Sequence, residues 1–261
     1  MNSENEVITF PGGRRLFANL HGGVSGGRYN SLNVGLHVGD DDNLVMENRR
    51  RLKIRLGAAR LLSERQTHGT NIFSLTEPLA GDQELDDCDA LISDQPGVAL
   101  MIQHADCQAV LLHDPERRVI AAVHNGWRGS VAGIVVRVVA WLIANWHCQV
   151  ENLRAWVSPS LGPCCGEFIG YREHLPQEFQ RFMPRENHVD FWGITQWQLA
   201  GAGLHLEHIH LPNICTHCSD DYFSHRRAAA TGLAATGRNA SLIMLTSELW
   251  LASHKQSRFF T

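Results

Sequence analysis

"MIQHADCQAVLLHDPERRVIAAVHNGWRG", residues 101–129, sets two apolar runs on either side of a proline-containing turn and places Cys107, His104, His113, His124 and a glycine-flanked Arg128 among them. "AVLLH" (109–113) and "VIAAVH" (119–124) are apolar almost without a break, which predicts strands covered on both faces. "DPER" (114–117) is the turn that joins them. "VALMI" (98–102) and "LRAWVS" (153–158) read as further strands of the same kind, and "TGRNASLIMLT" (236–246) as a loop entering a closing strand. Downstream of the hairpin, Ser130 is expected to cap a buried helix over 131–146, which puts Trp127-Arg128-Gly129 at the positive helix end, where an anion is favoured. Upstream, Asp41 or Asp42 caps a helix from about Asn43 to Leu56 that stops at Gly57. Its Arg49-Arg50-Arg51 run is expected on a solvated face. Helices and strands intermix without strict alternation, so the expected fold is α+β (mixed α/β), mixed sheet covered by helices and not a regular βαβ barrel.

Composition narrows the function. The chain has 261 residues, 44% hydrophobic and 19% charged, with a net charge of −4, an ordinary globular balance. Its one compact basic run is a poor footprint for nucleic acid, so a small-molecule partner is the better reading. "MNSENEVITF" has no secretory pattern, and the apolar run 131–146 is short for a bilayer and carries Arg137, so neither export nor membrane insertion is expected. Seven cysteines without a regular framework point to thiols or metal ligands in a reducing cytoplasm. The glycines of 21–43 do not match GxGxxG and read as a long irregular loop.

Cys107 and His124 lie seventeen residues apart, one near the start of a hairpin strand and one at the end of its partner. Antiparallel pairing would bring them to one sheet edge. His68 in "QTHGT" (66–70) is a third donor, followed by a glycine that permits close approach. Two histidines and one cysteine make a known catalytic zinc set with an open fourth position. The same residues also fit a metal-free reading, with Cys107 as nucleophile, His68 or His124 as base and Asp106 as orienter. They equally fit a bland one, in which Cys107 is a small buried hydrophobe and His124 a satisfied strand-end histidine. Cys215-x-x-Cys218, with His217 between, is a lone CxxC, weak evidence for structural zinc, and the vicinal Cys164-Cys165 does not supply a second pair, so buried or loop thiols are the preferred reading and structural zinc the alternative. His205, His208 and His210 in "HLEHIH" read as surface histidines, the last two on one strand face. Arg226 and Arg227 would face a phosphate or an acid.

The ordered motifs "SLNVGLHVGDD", "QTHG", "DALIS", "ADC", "HNGWRG", "SPSLGPCCGEF", "NICT", "YFSHRR" and "TGRNASLI" resemble the YfiH family, also called DUF152 or the laccase-domain family, to which the human protein FAMIN is related. The resemblance spans about residues 5–250 and implies one YfiH-like domain over 1–261. The implied fold is the CNF1/YfiH-like four-layer α/β/β/α sandwich with mixed sheets. It further implies that His68, Cys107 and His124 are the metal ligands and the catalytic set, with Zn2+ as the metal and Cu2+ as an alternative. The activities implied are purine nucleoside phosphorolysis (adenosine, inosine, guanosine, methylthioadenosine), adenosine deamination, copper-dependent polyphenol oxidation and editing of cell-wall precursors, the last through Cys107. A metal- or partner-binding protein without turnover is the non-enzymatic alternative. Asn33, Gln66 and Asp106 become candidate substrate or ligand-supporting contacts, Arg128 the first phosphate contact, and Arg226 or Arg227 the second. The expected partners are purine nucleosides and phosphate, with the chain a monomer or small homo-oligomer. Two positions depart from the family pattern: Asn125 where alanine is common, and Gln108-Ala109 where a hydrophobe and proline are common. Both lie beside ligands and bear on substrate preference.

Overall fold

The structure is a computed structural model and describes residues 5–247, so the outermost parts of the expected 1–261 domain, including 248–250 of the family resemblance, lie outside the described residues. Numbered along the chain, one sheet runs β1 (Val7–Phe10), β2 (Gly13–Phe17), β12 (Asn239–Leu245), β7 (Val98–His104), β3 (Arg60–Arg65), β5 (Gln83–Asp86). The other runs β11 (Ile209–His210), β10 (Arg154–Val157), β8 (Gln108–Asp114), β9 (Val119–Asn125), β6 (Ala90–Ser93), β4 (Ile72–Leu75). Both are mixed: β3 runs parallel to β5 and β7, and β4 parallel to β6, while the centres are antiparallel.

Side-chain alternation turns these strands into layers. Along β8, Ala109 and Leu111 point into the space between the sheets, and Val110 and Leu112 point the other way. On β7, Leu100 and Ile102 face the shared inter-sheet core, and Ala99 and Met101 face the helix α1 (Asp42–Leu56). β9 sends Ile120 and Ala122 inward and Val119, Ala121 and Val123 outward onto α3 (Ile134–Trp146) and α5 (Phe191–Gly201). The result is a four-layer α/β/β/α sandwich. The hairpin strands β8 and β9 are buried at every residue, which is why the hairpin reads as continuous apolar sequence rather than as alternation.

Four local expectations are corrected. The helix expected over 131–146 is two: α2 (Trp127–Ala132) and α3, broken at Gly133, whose left-handed backbone (φ +69°) cannot continue a helix. Gly126, not Ser130, is the residue before α2, so Arg128 lies in the first turn of a short helix. Arg49 does not share the solvated face with Arg50 and Arg51, which pair with Glu47. It is buried instead, donating to Val34 O (2.8 Å), Ser63 Oγ (3.3 Å) and Glu84 Oε2 (2.6 Å) and tying α1 to the sheet. His208 and His210 likewise do not share a strand, since β11 is only Ile209–His210. Two short α-helices remain among the described residues, α4 (Tyr171–His174) and α6 (His225–Ala230).

Candidate metal centre and cleft

β7 and β8 belong to different sheets, and the three residues between them, Ala105-Asp106-Cys107, carry the chain across. Asp106 makes the crossing with a left-handed backbone (φ +87°). Cys107 emerges next to the β8–β9 hairpin end, where Gln108 pairs with Asn125 and Ala109 with His124. His68 arrives from the other sheet, three residues beyond the end of β3. Gln66 extends that strand with its side chain, giving Nε2–H to Gln103 O (2.7 Å) and taking Gln103 N–H at Oε1 (2.9 Å). Donor atoms of His68, Cys107 and His124 thereby lie within 4.8 Å of one another.

A residue that sequence reading did not single out positions two of the three. Asp89, fully buried at the head of β6's "DALIS", accepts the backbone N–H groups of Thr67 (3.2 Å), His68 (2.9 Å) and Gly69 (2.7 Å). It also accepts His124 Nδ1–H at 2.8 Å. That bond fixes the imidazole tautomer and leaves Nε2 for a metal. The same carboxylate holds His68 in its left-handed conformation (φ +61°). Burial disfavours Asp89's charge, but the His124 hydrogen bond and charge, with those amides, bring it down to about 2. Burial likewise opposes ionisation of Cys107, yet His124 and then His68 draw the thiol down to about 6. His124, against its own desolvation, is raised to about 10 by Asp89 and Cys107. A thiolate held between two imidazoles is the donor chemistry a borderline-soft divalent ion takes, so the residues fit a metal. Gly126 belongs to the same construction: a Cβ there would stand 3.1 Å from both Cys107 Sγ and His68 Cδ2.

His68 and Cys107 open onto a cleft of about 320 Å³, with His124 buried behind them. Trp127, Phe168 and Phe191 form an aromatic wall, Trp127 and Phe168 edge to face at 5.2 Å and Phe168 and Phe191 at 6.4 Å. A larger depression of about 580 Å³ beside α1 is lined by no histidine or cysteine and is not the chemical site.

The remaining expectations divide. Asp106 lines the cleft but does not orient an imidazole: its carboxylate accepts Thr216 Oγ1–H (2.7 Å) and Arg226 N–H (2.6 Å), and the orienting role falls to Asp89. Arg128 is exposed at the rim, its guanidinium 4.4 Å from the Trp127 ring, and has no hydrogen-bond or ion-pair partner among the described residues. Arg226 lines the cleft while donating to Cys165 O (3.2 Å) and Glu167 O (2.9 Å). Arg227 is spent on the carbonyls of Thr216, His217, Ser219 and Tyr222 and is structural. Asn33 is fully buried outside the cleft; it takes the N–H of Arg238 at 2.9 Å and donates to Asp40, so it does not contact the cleft. Burial lowers Arg238, and the charges of Cys107 and Asp106 offset that in part. His104 and His113 are packing residues: His104 bonds Ser241 Oγ (2.8 Å) and is pushed down to about 3 by burial, and His113 packs on Phe10. Glu167, Phe168, Phe191 and His225 are cleft residues that no spacing rule marks, because they arrive from three separate loops and helices.

A four-layer mixed sandwich that carries, where the chain changes sheets, a two-histidine, one-cysteine cluster able to hold a metal is of the laccase-domain type. The family model described as "Multi-copper polyphenol oxidoreductase laccase" matches residues 14–246, and the chain belongs to that family, the YfiH-like DUF152 proteins. It is 32% identical over 241 residues to a protein named purine nucleoside phosphorylase YlmD of Geobacillus stearothermophilus, covering 85% of this chain and 86% of that one. It is 34% identical over 226 residues to purine nucleoside phosphorylase YfiH of Escherichia coli, covering 82% and 88%. Among solved structures, YlmD of Geobacillus stearothermophilus superposes with a TM-score of 0.81 at 28% identity over 95% of this chain and 98% of that one. The hypothetical protein YfiH of Bacillus licheniformis gives 0.81 at 28% over 90% and 93%.

Proposed function

We propose that the chain is a zinc-dependent purine nucleoside phosphorylase, acting on adenosine, inosine, guanosine and methylthioadenosine, with adenosine deaminase activity at the same site. The observation that carries the reading is the cleft itself: two of the three donor residues open onto it with His124 buried behind them, aromatic rings form one wall, and at its rim stands an arginine with no hydrogen-bond or ion-pair partner among the described residues. The relatives' names support the substrate class.

In phosphorolysis a phosphate oxygen bonds C1′ of the ribose as the C1′–N9 bond breaks, and the bonding pair leaves with the base, which takes a proton. Arg128 supplies the counter-charge for the phosphate, with a planar fork suited to two of its oxygens. Trp127, Phe168 and Phe191 hold the base by stacking and exclude water from its faces. His225 and Glu167 border the cleft and are groups able to carry the departing base's proton. His68, Cys107 and His124 would hold the zinc, which when bound supplies Lewis-acid polarisation and a water acidified to a pKa of roughly 7. Copper would compete for the same donors by its general affinity. Phosphorolysis is preferred over polyphenol oxidation because the cleft offers base-stacking walls and a free cation. None of the described cysteines is joined in a disulfide, and no helix of the described residues is long and apolar enough to cross a membrane.

Protein of known zinc content, incubated with adenosine or inosine with and without phosphate, is expected to release free base and ribose 1-phosphate only with phosphate, and to form inosine from adenosine without it. Arg128→Ala is expected to raise KM for phosphate roughly 10–100-fold, the worth of a charged hydrogen bond. Full phosphorolysis by Cys107→Ala would overturn the assignment. Turnover by metal-free protein would transfer it to Cys107 as a nucleophile with His124 and Asp89.

A further inference from the structure

The vicinal cysteines and the CxxC, unrelated in sequence spacing, meet in space. Sulfur atoms of Cys164, Cys165, Cys215 and Cys218 all lie within 4.8 Å of one another, with Cys165 to Cys218 at 3.3 Å and Cys164 to Cys218 at 3.7 Å. These separations are too long for a disulfide, at about 2.05 Å. They are close to the edge of a tetrahedron of thiolates about 2.3 Å from a central zinc, which works out at roughly 3.8 Å. We propose that Cys164, Cys165, Cys215 and Cys218 form a second, structural zinc site that clasps the loop at 213–219 to the loop at 160–167, which lines the cleft.

Three further observations support a charged centre rather than four idle thiols. Gly162 N–H donates to the buried Cys215 sulfur at 3.2 Å, the bond a metal thiolate accepts from its backbone. The two loops are already zipped by Thr216 N–H to Ser160 O (3.0 Å) and Ser160 N–H to Ile214 O (3.2 Å), so the ligands are presented from a fixed frame. Three arginines surround the cluster through its own backbone: Arg185 on Cys164 O (2.9 Å), Arg226 on Cys165 O (3.2 Å) and Arg227 on His217 O (3.0 Å). Zinc bound by four thiolates carries net negative charge, and these guanidinium groups offset it. Binding would release the thiol protons to solvent, so uptake strengthens as pH rises.

The clasp has a consequence for the first site. Thr216, beside Cys215, donates to Asp106, the residue before Cys107, and Arg226 joins Asp106 to Cys165 and Glu167. Closing the four-cysteine site therefore sets the position of Glu167 and Phe168 without touching substrate. The proposal does not depend on which reaction the cleft performs.

Metal-stripped full-length protein titrated with cobalt(II) tests it, because thiolate-to-cobalt charge transfer and intense tetrahedral d–d bands report the thiolate number. Wild type is expected to take two equivalents. Cys107→Ala is expected to keep the strong four-thiolate spectrum and lose the weaker second one, and Cys164→Ser/Cys218→Ser to do the reverse, its retained equivalent showing that it is folded. If the double variant does not fold, the Cys107→Ala spectrum decides alone. Cobalt uptake by Cys107→Ala without thiolate bands would overturn the proposal, and so would recovery of these four cysteines as disulfides. Free, reagent-accessible thiols at all four positions in zinc-saturated protein would overturn it as well.

Discussion

Asp89 does more for the first site than any residue that touches the cleft. One buried carboxylate takes His124 Nδ1–H and three successive loop amides, so the ring orientation of one donor and the backbone of another depend on the same two oxygens. Asp89→Asn keeps the shape but puts an amide where two acceptors are needed. Metal affinity is expected to fall roughly 10–100-fold, the usual effect of losing such a supporting carboxylate. Competition with a chromophoric chelator measures it, and an unchanged affinity would reduce Asp89 to packing. The sequence carried the donors themselves: Cys107 and His124 are placed by hairpin register, and His68 by a polar, glycine-followed loop. Asp89 was not legible, since it opens a fully buried strand and its partners lie twenty and thirty-five residues away. Residue type also could not separate the arginines. Arg128 and Arg227 are the same side chain, and only the fold shows that one faces a cavity and the other a ring of carbonyls.

At the scale of elements, the two departures from the family pattern are one feature. Gln108 and Asn125 are cross-strand partners at the open end of the β8–β9 hairpin, and Asn125 Nδ2 donates to Gln108 Oε1 at 3.1 Å. Asn125 also donates to Thr195 Oγ1 (3.0 Å) and accepts from Ser130 Oγ (3.2 Å), while Gln108 Nε2 donates to Phe191 O (3.1 Å). Hairpin, α2 and α5 are thus bound by a buried polar network that ends on the aromatic wall. Asn125→Ala alone leaves buried partners unmatched and is expected to cost about 1–3 kcal/mol. Adding Gln108→Ala should cost less than the sum of the two single changes, with a coupling of about 0.5–3 kcal/mol by denaturant unfolding. Strict additivity would dissolve the pair into two independent residues. The strands themselves were readable because both faces are apolar. The α2–α3 break was not, because Gly133 stands inside a helical apolar pattern and its positive φ is decided by the packing of α3 on β9.

Across the whole molecule, the sheets are joined by a common core, and the candidate metal centre straddles them: His68 follows a strand of one sheet, His124 ends a strand of the other, and Cys107 lies on the crossing. Leu100, Leu111, Ile120 and Ile243 from both sheets are fully buried in that core. The burial of each contributes about 1.5–3 kcal/mol. Neither sheet can retain its inner face alone, so we expect the described residues 5–247 to unfold as one domain in one transition. Leu111→Ala, which deletes three side-chain carbons between the layers, should lower stability by about 2–5 kcal/mol. Near-ultraviolet and far-ultraviolet signals and release of bound metal should move together to the lower denaturant midpoint, because the three donors coincide only while both sheets are docked. If the metal were released before the main transition, the centre would belong to a locally opening loop. If the far-ultraviolet signal split into two steps, the sheets would be separate folding units and the single-domain reading would fall.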